Sequence, residues 1–116
     1  MIDPHFLTLT IPNVKEKELH HAMVGMLQSS ANIIRRKNRK QSEKIINGIR
    51  KLECTYNITF DTYHPHLHFI IDGYDNAKYI QDEWLKTYSS ATIKAQDITK
   101  VYADNSIKEL FKYTTK

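Results

Sequence analysis

Cysteine occurs once, as Cys54, in a chain of 116 residues. That excludes a disulfide framework and a zinc site built from several thiolates. Glycine and proline number three each, too few for collagen-like, linker-like or low-complexity character. No stretch approaches the ~18 uninterrupted apolar residues of a membrane span. The opening Met-Ile-Asp-Pro-His has no basic segment of the kind that begins a secretory signal. The expectation is a cytoplasmic protein with no membrane contact. What is present is ordinary for a globular chain: 41% hydrophobic and 26% charged residues, enough for a packed core in one domain spanning residues 1–116. Seventeen Lys and Arg against thirteen Asp and Glu give a net charge of +4, which favours an anionic partner.

The charge is uneven. Between Arg35 and Lys51 stand eight basic residues (Arg35, Arg36, Lys37, Arg39, Lys40, Lys44, Arg50, Lys51) and one acid, Glu43. Composition leaves two readings open, a solvated helix end or a surface that tracks phosphates. Residues 6–11, Phe-Leu-Thr-Leu-Thr-Ile, alternate strictly and predict a half-buried strand with Leu7, Leu9 and Ile11 inward. Leu19, Met23, Met26, Leu27, Ile33 and Ile34 recur at helical spacing and predict an amphipathic helix over 15–36, with Asn13 as cap and Glu16 as its capping-box partner. A second strand over 46–56 turns Leu52, Cys54 and Tyr56 inward and Lys51, Glu53 and Thr55 outward. A polar loop then leads to a third strand over 66–72. A helix over 77–89, a weakly alternating strand over 93–102 and a short terminal helix carrying Ile107, Leu110 and Phe111 complete the chain. The order βαββαβ predicts an α+β fold, the ferredoxin-like or RRM-like split βαβ: an antiparallel sheet with helices on one face and the other face open.

Chemistry concentrates in His64-Pro65-His66-Leu67-His68-Phe69-Ile70-Ile71. On a strand, His66 and His68 share one face while Leu67, Phe69 and Ile71 enter the core. Two imidazoles side by side can chelate one cation, and Glu53 on the outward face of the neighbouring strand supplies a carboxylate. Such a set suits Mn²⁺, Fe²⁺, Co²⁺ or Zn²⁺ by ligand type, and phosphate chemistry together with availability favours Mg²⁺ or Mn²⁺. His64, ahead of Pro65 and off the regular strand, either orients a ligand or lies in a loop. Phe6, Thr8 and Thr10 share the open face, where Phe6 can stack a base. Arg50 and Lys51 fall on opposite faces, so at most one of them can point towards the metal side. His5, His20 and His21 read as surface residues, Cys54 as core, and Trp84 as helix-to-sheet packing.

These residues carry a resemblance. His66-Leu67-His68 resembles the His-hydrophobic-His motif of the HUH endonucleases, and Phe6-Leu-Thr-Leu-Thr10 resembles the first motif of their replication initiators. Glu109-Leu-Phe-Lys-Tyr113-Thr-Thr-Lys116 resembles the third. Arg50-Lys-Leu-Glu53, with a glutamate four residues before a single tyrosine, is most similar to the initiators of bacterial rolling-circle plasmids. The resemblance implies metal-dependent nicking and joining of single-stranded or hairpin DNA at a plasmid origin. Tyr113 is implied as the nucleophile that forms a 5′-phosphotyrosyl intermediate. Glu109 is implied as the group that activates water or acts as base in a second cleavage. Lys116 is implied as a contact to the scissile phosphate or a group lowering the phenol's pKa. It also implies a host helicase and polymerase as partners, a dimer or hexamer as possible assemblies, and further sequence after Lys116, where family members continue.

Two other classes compete. A non-catalytic RRM-like nucleic-acid binder fits the basic run and the open sheet but leaves the paired histidines and the Glu109/Tyr113 spacing without a role. A 2-His-1-carboxylate iron oxygenase fits the ligand count, yet those sites usually sit in a larger β-barrel. Within the superfamily, relaxases and single-tyrosine transposases rank lower, on motif order and on the Phe-Leu-Thr-Leu-Thr opening.

Overall fold

The computed structural model describes residues 3–40, 48–91 and 96–101. Alternation of apolar and polar residues builds four strands, and helical spacing builds two helices, in the order β1 (Pro4–Thr10), α1 (Glu16–Lys40), β2 (Gly48–Asn57), β3 (Thr62–Asp72), α2 (Tyr74–Thr87) and β4 (Asp97–Lys100). The strands form one sheet in the order β2-β3-β1-β4, antiparallel throughout. This is the expected α+β architecture, a split βαβ sheet with one face covered by helices and one open.

The covered face holds the core. Leu7 and Leu9 of β1, Leu67, Phe69 and Ile71 of β3, Met26 and Ile33 of α1, and Ala77, Ile80 and Trp84 of α2 are all buried and packed together. Burying side chains of this size contributes about 1.5–3 kcal/mol each and outweighs the weak local preferences of the chain. Trp84 also closes the end of β1. Strand pairing between β1 and β4 stops at Thr8 opposite Asp97, so other groups satisfy the backbone of Thr10. Gln96 Oε1 accepts the Thr10 N–H at 2.7 Å, and the Trp84 indole N–H donates to the Thr10 carbonyl at 2.9 Å. Trp84→Phe leaves that buried carbonyl without its donor. Urea denaturation is expected to register a loss of about 1–3 kcal/mol.

Several sequence expectations are corrected here. Helix α1 runs to Lys40, beyond position 36, because Lys37, Arg39 and Lys40 are good helix formers that also suit the negative end of the helix dipole. Asn13 stands ahead of the helix start at Glu16, and its amide donates to Thr62 Oγ1. Strand β3 begins at Thr62, so His64 and Pro65 lie within it. Tyr63 exchanges both backbone hydrogen bonds with Val14. Pro65, two residues on, therefore aims its nitrogen to the same side, past the last paired residue of β1, Thr10 opposite His66. Its missing N–H costs no ladder bond, which is where a strand tolerates proline. Cys54 has the expected inward parity yet is exposed, because the far half of β2 runs past the helices. His5 is buried, with Nδ1 at 2.9 Å from the Asp3 carbonyl and its ring against Tyr74. Gly73 takes a positive φ of 93° and lets the chain leave β3 directly into α2, which starts at Tyr74. Part of the strand expected over 93–102, and the terminal helix with Ile107, Leu110 and Phe111, lie outside the described residues. Among the described residues no helix is long and apolar enough to cross a membrane.

Candidate metal and nucleic-acid site

The register of the sheet sets side chains in rows across the open face, because residues directly opposite in antiparallel strands point the same way. One row is Ile49, Ile70, Phe6 and Thr99; the next is Lys51, His68, Thr8 and Asp97; then Glu53, His66 and Thr10; then Thr55 and His64. Glu53 and the three histidines of β3 thus stand on one surface, as the alternation of both strands requires. The register also brings in His64, which the proline had placed off the strand. Its ring lies 4.4 Å from that of His66, and the His66 and His68 rings stack 6.0 Å apart.

Glu53 and His68 are the most closely organised pair. Thr8 Oγ1 lies 3.2 Å from His68 Nδ1, and Glu53 Oε2 lies 3.4 Å from His68 Nε2. The tautomer of His68 decides the roles: with Nε2–H, the ring donates to Glu53 and accepts from the Thr8 hydroxyl, and with Nδ1–H donating to Thr8, Nε2 and Glu53 Oε2 present two lone pairs that a cation could share. Two ligands at right angles on a cation with bonds of about 2.1 Å are about 3 Å apart, close to the separation found here. The other carboxylate oxygen, Oε1, is held by the Lys51 ammonium at 2.6 Å. That hydrogen bond is the main reason the Glu53 carboxyl is held below its ordinary value; burial opposes it, and the nearby His68 and His66 add to it. Burial first, and then the neighbouring His64 and His68, push the His66 imidazole below its usual value. Near neutral pH, Glu53 is therefore ionised and His66 neutral, the forms in which each binds a metal.

The donors fit a divalent cation in kind. They are not already converged: among the described residues no group of three or more His, Cys, Asp or Glu has the arrangement of a finished metal site. Binding would require His66 to turn from His64 and Glu53 to share its charge between Lys51 and the ion.

The remaining candidates are divided. Thr8 and Lys51 are part of this cluster. Thr10 shares the face but is buried beneath Gln96, whose amide donates to its hydroxyl at 3.3 Å. Phe6 lies one row from His68, in register with Ile70, which is fully buried, and with the half-exposed Ile49. Arg50 points to the helix side, beside α1. Glu109, Tyr113 and Lys116 lie outside the described residues. Gln96, which covers Thr10, was missed because its segment has little periodicity.

Sequence comparison adds an independent finding. The sequence model of a family described as a replication protein matches residues 3–116. The chain is 39% identical over 116 residues to the Protein rep of Staphylococcus aureus, covering 91% of this chain and 49% of that protein. It is 32% identical over 114 residues to the Protein rep of Streptococcus pneumoniae serotype 2, covering 92% of this chain and 34% of that protein. A Protein rep of Bacillus sp is 37% identical over 90 residues, 74% of this chain and 29% of that one. The chain therefore spans from under a third to about half of the length of these relatives. No solved structure matches it.

Proposed function

The chain belongs to the replication-protein family, that of the rolling-circle initiators its motifs resemble, and we propose that it is the part that nicks and rejoins single-stranded DNA at a plasmid origin. The observation that carries this reading is the row structure of the open face. Two imidazoles and an ionised carboxylate stand in adjacent registers of β2 and β3, on the face of the sheet opposite α1 and α2.

In this reading Tyr113 is the nucleophile. Its phenolate oxygen attacks the scissile phosphorus; a phosphorus–oxygen bond to tyrosine forms as the bond to the departing 3′-oxygen breaks. The phenolic proton is lost to a base, and the departing 3′-oxygen takes up a proton from water to become a hydroxyl able to prime a polymerase. Tyrosine is protonated at neutral pH, so it needs activation. His66, His68 and Glu53 are the residues that would hold a divalent cation, Mn²⁺ or Mg²⁺, which when bound polarises a phosphate oxygen and offsets the charge developing there. Thr8 fixes the ring of His68 through Nδ1, and Lys51 keeps Glu53 ionised. Lys116 contacts the scissile phosphate, and Glu109 serves as base for water in the closing cleavage. The DNA partner is single-stranded or hairpin origin DNA, and the released 3′-hydroxyl connects the reaction to a host helicase and polymerase.

The test is a covalent product. Incubated with a single-stranded origin oligonucleotide and Mn²⁺, the chain is expected to give a protein–DNA adduct that survives denaturation, and an excess of EDTA is expected to abolish it. Binding indifferent to chelator, with no strand cut, would instead identify a non-catalytic RRM-like binder.

A further inference from the structure

Of the basic run, Lys51 alone among the described residues belongs to the site above. Helix α1 carries Arg35, Arg36, Lys37, Arg39 and Lys40 on the opposite side of the sheet. There Leu27, Gln28, Ala31, Asn32 and Arg35 of α1, together with Arg50 of β2, line an open cleft of about 420 Å³. Gln28, Asn32, Arg35 and Arg39 follow one another at intervals of four, three and four residues, a single stripe along the helix, and all four are exposed. Nearby cations already have partners: Arg36 lies 3.9 Å from Glu83, and Lys37 sits over the Tyr79 ring at 4.8 Å. Arg35 and Arg50 have neither an ion-pair nor a hydrogen-bond partner among the described residues.

We propose that this cleft and stripe bind duplex DNA next to the nicking site, an inference that rests on the replication-protein reading. Three observations favour a duplex as the occupant. The charge is complementary to a sugar-phosphate backbone, with Arg35 of α1 and Arg50 of β2 both lining the cleft. The stripe also combines arginine with Gln28 and Asn32, the side chains able to pair with guanine and adenine edges in a major groove. It spans about 16 Å of helix at 1.5 Å per residue, half a turn of B-form DNA. Finally, β2 is an edge strand. Arg50 faces the cleft while Lys51, its neighbour in sequence, faces the histidines. DNA can thus pass round this edge, paired on the helix side and single-stranded on the histidine side. The contacts belong to side chains, since the carboxy-terminal end of α1 has a dipole that repels phosphate.

Fluorescence anisotropy with a mixed-sequence 24-base-pair duplex, and with one of its strands alone, tests this on the whole chain across a salt series. Arg35→Ala with Arg50→Ala is expected to weaken duplex binding about tenfold and to flatten the slope of log affinity against log salt by about two, the signature of two lost phosphate contacts. Single-strand affinity is expected to stay within twofold, as is the yield of covalent adduct on a single-stranded origin oligonucleotide. That last readout separates failure of this site from failure of the nicking reading. Lys15→Ala with Lys17→Ala, an equal loss of charge at the other end of α1, serves as comparison and is expected to leave duplex binding within twofold. Circular dichroism checks that each variant is folded. Unchanged duplex binding, an equal loss on duplex and single strand, or an equal effect of the Lys15/Lys17 pair would each overturn the proposal.

Discussion

His68→Ala is expected to abolish detectable binding of Mn²⁺ by the chain and to lower the rate of single-strand nicking by at least about 10²–10³-fold, while the protein stays folded. The effect is large because one side chain links the whole row. Its Nε2 is the donor nearest Glu53, and its Nδ1 is held by Thr8. Removing it also leaves Glu53 with Lys51 as its remaining close partner, a pairing that competes with a cation. Folding is spared because His68 is on the open face, away from the core on the helix side. Isothermal titration with Mn²⁺ and a gel assay of strand cleavage measure the two effects. Thr8→Val serves as the graded comparison. It keeps both imidazoles and the carboxylate but frees the His68 ring, and is expected to cost about 10–100-fold in metal affinity. If His68→Ala binds Mn²⁺ as tightly as the parent, the cation does not sit on this row.

How much of this was legible in the sequence differs by kind of information. Alternation fixes which face a residue is on, and it read Leu7, Leu9, His66, His68, Lys51 and Glu53 correctly because strand period alone decides them. It does not tell what lies above that face. Cys54 and Tyr56 have core parity but extend beyond the reach of α1 and α2, in a hairpin whose tip leaves Ile58 and Phe60 84% and 74% exposed. His5 lies towards the other end of β1, where Tyr74 comes to cover it from a distant part of the chain. Proline misled at His64, because the local rule that proline breaks a strand is relaxed at the edge of a ladder, and that edge is a property of the sheet. The pairing of Lys51 with Glu53 also needed coordinates: two residues apart on one strand face, they could equally have pointed away from each other.

Tyr113→Phe is expected to eliminate the covalent adduct altogether, with single-strand affinity unchanged within about twofold, since the substitution removes one oxygen and little else. The chain has seven tyrosines, and the fold narrows the choice of nucleophile. Tyr56 and Tyr63 are opposite each other in register with the parity of Leu52 and Leu67, away from the histidines. The Tyr56 hydroxyl also donates to Asp61 at 2.7 Å, a bond to its protonated form that raises its pKa and blunts it as a nucleophile. Tyr74 begins α2 against His5, Tyr79 lies under the Lys37 ammonium, and Tyr88 packs on Trp84 with its hydroxyl 3.1 Å from Ser29. All five belong to the helix side of the sheet, so a phosphate held on the histidine face would be out of reach of each. That leaves Tyr102 and Tyr113, both outside the described residues. The resemblance of Glu109-Leu-Phe-Lys-Tyr113-Thr-Thr-Lys116 to the third initiator motif is what implies the second in the proposed reading. Tyr102→Phe is therefore expected to form adduct at the parent level, and mass spectrometry of the protease-digested adduct is expected to place the nucleotide on the peptide containing Tyr113. Adduct formed by Tyr113→Phe and lost in Tyr102→Phe would reverse the assignment and detach Glu109 and Lys116 from the reaction.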